Sequence, residues 1–160
     1  MSVLWTRSLI VLGAAIVLAA VKLSIHSKER TIAQGETIFL ELMPVDPRSL
    51  MQGDYMALRF RLAEEIERAR QRGTLAPSAR TAPLAIDAHR VATLAQDTEA
   101  DAQIRFRIRN RSVWIGTNAF FFEEGSSSKY VNARYGEFRL ERGSGQAVLV
   151  GLRDAQFNEL

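Results

Sequence analysis

The chain is 160 residues long, contains no cysteine, and carries a formal net charge of +3 from 21 Lys and Arg against 18 Asp and Glu. Once a membrane segment is set aside, that length holds one ordinary domain and not two, and the missing thiol excludes disulfides, thiol catalysis, thiolate metal sites and lipid attachment through cysteine. Arg7 and Lys22 fall in the N-terminal apolar segment, so the rest is close to neutral, which counts against nucleic acid as a partner.

Residues 8–21, SLIVLGAAIVLAAV, hold no charge and as a helix would cover roughly 21 Å of a hydrocarbon core about 30 Å thick. Residues 4–25 reach roughly 33 Å if Arg7 and Lys22 extend their charges to opposite interfaces and Trp5 sits among the headgroups. This predicts a single span that holds the bilayer through residues 4–25, with an anchor over 1–27 and a soluble domain over 28–160. A cleaved signal peptide, with Val17 and Ala19 as the small-residue cleavage pair, is the competing reading. Orientation is divided. Lys22, Lys28 and Arg30 after the span outnumber Arg7 and the terminal amine before it, which favours a cytoplasmic domain, whereas a short N-terminal tail is typical of a signal anchor that exports the domain behind it.

Residues 31–36 are polar and read as a spacer between membrane and domain. TIFLEL then alternates, with Ile38, Leu40 and Leu42 facing one way and Thr37, Phe39 and Glu41 the other, as a strand does. PVDPRSLMQGDY, residues 44–55, is a structured loop in which Pro47 holds Asp46 out of helical geometry. Residues 55–62 are strand-like, with Leu58, Phe60 and Leu62 opposite Arg59 and Arg61. The period changes at AEEIERARQR, residues 63–72, where early acids and late arginines match a helix dipole and Gly73 stops the helix.

After a Pro/Ser/Thr/Ala-rich loop, LAIDAHRVATLA reads as two short strands around residues 87–90, and DTEAD makes the next loop. Residues 103–110 predict one strand with Ile104, Phe106 and Ile108 on one face and Arg105, Arg107 and Arg109 on the other. A short strand holding Trp114 ends at Gly116, NAFFFEE is a buried strand, and residues 124–136 are a loop or a one-turn helix. EFRLE and QAVLVGL, joined by RGSG, form the clearest hairpin. About eight strands with inserted helices give an α+β fold, a mostly antiparallel β domain with one or two short helices, preceded by one N-terminal transmembrane helix.

Three segments could carry chemistry. The loop before Tyr55 brings Asp46, Arg48 and Asp54 together, although two carboxylates beside one arginine also satisfy each other as plain scaffolding. The arginines at 105, 107, 109 and 111 repel one another unless an anion lies opposite; Glu137 and Glu141 are the expected cross-strand partners, with lipid headgroups, other anions or an acidic protein as the alternative. Glu123 and Glu124 lie side by side, and neighbours on a strand point to opposite faces, so at most one enters any site. A metal cluster or a Ser-His-Asp triad lacks members, since His26 and His89 are the two histidines. A hydrolase would have to use Ser49 with Lys129, or Asp54 with Glu124. No cofactor, metal or catalytic set is expected.

Gly53-Asp54-Tyr55-Met56-Ala57-Leu58-Arg59-Phe60, with PVDPRSL before it and EG, a tyrosine and ARYGEFRL between residues 124 and 140, followed by AVLVGL, resembles the GDYXXLXY proteins. Phe60 stands where that motif has tyrosine, so no hydroxyl acts there. The resemblance implies a bacterial membrane-anchored protein of uncharacterised function, found beside multi-pass membrane proteins, with its domain on the exported side of the inner membrane. It supplies no reaction. The resulting expectation is an accessory or binding module that works with a multi-pass partner through Asp46, Arg48, Ser49, Gly53, Asp54, Tyr55, Glu124, Tyr130, Arg134 and Tyr135.

Overall fold

A computed structural model describes residues 3–43, 51–52, 55–96 and 100–160, with backbone alone at 3–8 and 51–52. Helix α1 (Val3–Gln34) contains a stretch, Leu9–Gln34, long and apolar enough to cross a membrane, and its apolar window is not buried against the rest of the protein. Leu9, Ile10, Leu12, Ile16, Leu18, Leu23 and Ile25 are all exposed. A core helix would bury one face; the apolar stretch of this one is apolar all round and buries none of it.

The expected spacer over residues 31–36 is replaced by helix. α1 continues to Gln34 and enters β1 (Glu36–Glu41) through Gly35 alone. Thr31 is buried there and donates its hydroxyl to the Ser27 carbonyl at 3.0 Å. The Gly35 N–H donates to the Thr31 carbonyl at 2.8 Å. A Cβ at residue 35 would stand 2.3 Å from that carbonyl oxygen and 3.0 Å from the Arg139 Cβ, so a side chain would push the helix end off the sheet. The domain therefore sits directly on the end of α1.

The central sheet has the order β1-β10-β11, with β10 (Tyr135–Glu141) and β11 (Gln146–Arg153) forming the expected hairpin. Ile38, Leu40, Phe138, Leu140 and Leu152 from these strands are fully buried, as period-two alternation requires of one face. A second sheet, β5 (Ala92–Leu94), β4 (Thr81–Ile86) and β6 (Ala102–Arg105), adds Ala82, Leu84, Ala92 and Ile104 to the same core. Links between the sheets include a parallel bridge between Phe39 and Val91 and a 2.6 Å hydrogen bond from the Arg105 N–H to the Gly145 carbonyl. Gly145 holds φ +68°, and a Cβ would meet the Gln103 carbonyl oxygen at 3.1 Å, so glycine serves both the turn and the close approach.

Helix α2 (Arg61–Gln71) starts two residues before the predicted helix and buries Leu62 and Ile66, one turn apart. Its Glu65 accepts from the Leu94 N–H at 3.0 Å and its Glu67 from the Val113 N–H at 2.7 Å. The helix thus satisfies strand donors on two separate sheets while covering the core. The early helix start shortens the preceding strand: β3 (Tyr55–Ala57) ends before Leu58, yet Leu58, Phe60 and Leu62 all stay inside.

The predicted strand over residues 103–110 breaks at Phe106. β6 pairs with β4, while β7 (Arg107–Arg109) pairs with β8 (Ser112–Trp114) as a separate hairpin that leaves Ile108 exposed. The remaining sheet has the order β2 (Met51–Gln52), β3 and β9 (Ala119–Phe121). The whole is an α+β fold of antiparallel sheets behind one apolar N-terminal helix.

At the junction with α1, Glu36 accepts from Arg142 Nε at 2.6 Å. The hydrogen bond from Arg142 is the largest influence holding the Glu36 carboxyl below its ordinary value near 4.5. A depressed carboxyl pKa stabilises the fold fully above the ordinary value and ceases to do so as pH falls through the lower, folded one. Glu36→Gln is expected to lower the melting temperature slightly at pH 7, since the pair is largely solvated and worth at most about 1 kcal/mol. The difference from the unsubstituted chain should close as pH falls through the lowered Glu36 pKa; a deficit that persists in acid would mean that the pair is not its source.

Candidate functional site

The strand that begins at Tyr55 of the motif pairs with the strand that leads into the serine-rich loop. β3 carries Tyr55 from the motif, and β9 runs directly into Glu123, Glu124 and the 3₁₀ turn at Ser127–Tyr130. The two strands pair antiparallel with Tyr55 opposite Phe121, Met56 opposite Phe120 and Ala57 opposite Ala119. Alternation then sorts the side chains. Met56 is buried, and Phe120 and Phe122 pack against the core, while Phe121 on the other face is 74% exposed with its ring 5.8 Å from that of Tyr55. The prediction of a buried NAFFFEE strand is corrected: the core lies on one side of β9, so Phe121 is turned out.

Tyr130 supports this platform from behind, its ring 5.1 Å from Phe120 and 5.2 Å from Phe122. Phe121, Phe122, Glu123, Ser126, Lys129 and Tyr130 border an open hollow beside it. Glu123 and Glu124 are both exposed and follow the end of β9, so the alternation argument that would have separated them does not apply.

The other expected site residues divide. Asp46, Arg48, Ser49, Gly53 and Asp54 lie outside the described residues, and with them the Ser49–Lys129 and Asp54–Glu124 pairings. Tyr55, Glu124 and Tyr130 belong to the platform and its loop. Arg134 acts through its backbone: its carbonyl accepts from the Leu42 N–H and its N–H donates to the Arg153 carbonyl, both at 2.8 Å. Tyr135 stacks on Phe157, at 4.7 Å between ring centres, within a different cluster that includes Phe39 and His89. Within the eight-residue motif, Leu58 and Phe60 are core residues, Phe60 lying edge-on to Phe138 at 5.2 Å. A phenylalanine at that last position needs no polar partner. Met56, Leu58 and Phe60 are scaffolding, while Arg59 is exposed and Tyr55 is half-buried beside Phe121.

The arginine ladder is not neutralised as expected. Glu137 pairs with Arg153 and Arg139, and Glu141 accepts from Ser144 while Arg61 pairs with Glu41. The cause is register: β10 pairs with β1 and β11, and no ladder strand lies beside it. Among the described residues, Arg105, Arg107, Arg109 and Arg111 have no carboxylate within ion-pair distance. Arg109 lies over the Trp114 ring at 5.1 Å. Arg105, Arg107, Arg109 and Trp114 line a cleft of about 350 Å³ whose far wall is α1, through Ser24, Ser27 and Lys28. Among the described residues there is also no group of three or more potential metal-ligating side chains.

Neither a curated protein nor a solved structure matches the chain significantly. The family model described as GDYXXLXY protein does match, over residues 17–152, from within the apolar helix to the end of β11. Most of the chain is thereby covered, and it belongs to the GDYXXLXY family.

Proposed function

We propose that the chain is a membrane-anchored accessory module, tethered by α1 as a single span, that docks on a multi-pass membrane protein through the platform of Tyr55 and Phe121. Its domain lies on the exported side of a bacterial inner membrane. The observation that carries the reading is Phe121, a large ring 74% exposed beside Tyr55, on a sheet that joins the two motif segments. Aromatic side chains in this position are the usual anchors of protein interfaces. A tether that runs without a spacer into the domain holds this face at a fixed height above the bilayer, where another membrane protein can meet it.

The absence of cysteine allows one experiment to test both contact and side. In Glu123→Cys, at the exposed rim of the platform, a membrane-impermeant maleimide carrying a photo-crosslinker should label intact spheroplasts and, on irradiation, join the chain to one discrete membrane protein. Arg72→Cys, on the exposed end of α2, should be labelled equally and give no such product. Phe121→Asp should reduce co-purification of that partner by about 30-fold, the loss of a central aromatic anchor worth about 2 kcal/mol. Protection from the reagent would place the domain in the cytoplasm; labelling at residue 123 with no more crosslinking than at residue 72 would refute the docking face.

A further inference from the structure

We infer that the cleft between α1 and the arginine ladder binds the phosphate of an anionic lipid headgroup. Three observations converge on it. The first is charge: Lys28, Arg105, Arg107 and Arg109 face one cleft, and among the described residues none has a carboxylate partner. Such a set repels itself, and the arrangement is at ease when an anion lies within it. Arginine guanidinium groups present paired N–H donors that suit phosphate oxygens.

The second is depth. Ser24, Ser27 and Lys28 are spaced three and four residues apart and so share one helix face. Lys28 stands three residues beyond Ile25, the last residue of the apolar run, a rise of about 4.5 Å. Headgroups extend about 5–7 Å beyond the hydrocarbon on each side, so a phosphate of the same leaflet is level with the cleft. Because α1 passes into β1 with only Gly35 between, the domain cannot lift the ladder away from that level.

The third is Trp114, which lines the cleft beside Arg109. An amphipathic ring at the interface sits among headgroups and acyl ends, as Trp does in membrane proteins generally. A volume of about 350 Å³ lies in the range of small-ligand pockets, about 300–1,000 Å³. A free phosphate ion would satisfy the same guanidinium groups. Position at the headgroup layer is what favours the lipid.

The test uses the full-length chain in detergent, with native mass spectrometry to count retained lipid. One phosphatidylglycerol should be retained in preference to phosphatidylcholine, less so as ionic strength rises. Each basic side chain near an anionic headgroup changes binding about fivefold. Lys28→Gln, on an exposed helix face, should therefore weaken phosphatidylglycerol retention about fivefold, and the combined Arg105→Gln, Arg107→Gln and Arg109→Gln chain about a hundredfold. Arg72→Gln, remote from the cleft, should leave it unchanged. Should the triple variant melt early, Lys28→Gln alone decides. Equal retention of both lipids, or phosphatidylglycerol retention unaffected by Lys28→Gln, would overturn the proposal. So would displacement of the lipid by inorganic phosphate at comparable concentration, which would make this a site for a soluble anion.

Discussion

Phe138→Ala is expected to lower the unfolding free energy by about 3–5 kcal/mol, the cost of removing a buried phenyl ring and leaving a cavity. Phe138 is fully buried at the centre of β10, between β1 and β11, and its ring meets Phe60 edge-on. Its surroundings cannot collapse easily into the space. The neighbouring Phe60 ring is itself seated against Gly136, where a Cβ would come within 2.8 Å of Phe60 Cε1. A domain of this size is typically stable by about 5–15 kcal/mol, so the variant should denature at a much lower urea concentration, read from the fluorescence of Trp114. Phe138→Leu keeps most of the volume and should lose much less. If both variants unfolded with the parent's midpoint, the core would have to lie elsewhere.

Alternation and composition carried the fold a long way because the core demands one face of each strand. Ile38 and Leu40, Leu58, Phe60 and Leu62, and Phe138 and Leu140 are readable in that way, and all are buried. What escaped was pairing. Nothing in the ladder's own sequence shows that it is cut at Phe106 into strands of two different sheets. Nothing in EFRLE shows that Glu137 meets Arg153, and Glu141 the Ser144 hydroxyl, instead of the ladder. Such facts depend on which strands become neighbours, a long-range outcome that local pattern does not encode. The platform lay nearer to reach. Three successive phenylalanines on a strand cannot all point inward, so strict use of the period turns Phe121 away from Phe120 and Phe122. The cleft needed one fact more, the uninterrupted run of α1 into β1, since polar residues 31–36 look equally like a spacer and like the last helical turn.

Glu137→Ala is the second large effect, a loss of about 3 kcal/mol, for reasons unlike those at Phe138. Glu137 is a buried acid, 6% exposed, on the outer face of the central sheet, opposite Phe39 and two residues from Tyr135. Phe157 packs on both of those rings, in a C-terminal turn held by the Asp154 carboxylate, which accepts from the N–H groups of Gln156 and Asn158. Under this cover Glu137 accepts from Arg153 Nε at 2.7 Å, with Arg139 at 3.8 Å. Deleting one partner of a buried pair costs about 3–5 kcal/mol because the other is left uncompensated. Here Arg153 keeps some solvent and has Glu159 at 3.6 Å, which puts the loss at the low end. Glu137→Gln retains an acceptor and should lose less. Replacing both ends, as Glu137→Leu with Arg153→Met, removes the desolvation cost with the attraction and should fall close to the parent in urea denaturation. A double variant worse than Glu137→Ala would show that the pair contributes more than mutual compensation. Close agreement with the parent would mean that Glu137 and Arg153 do no more than compensate one another.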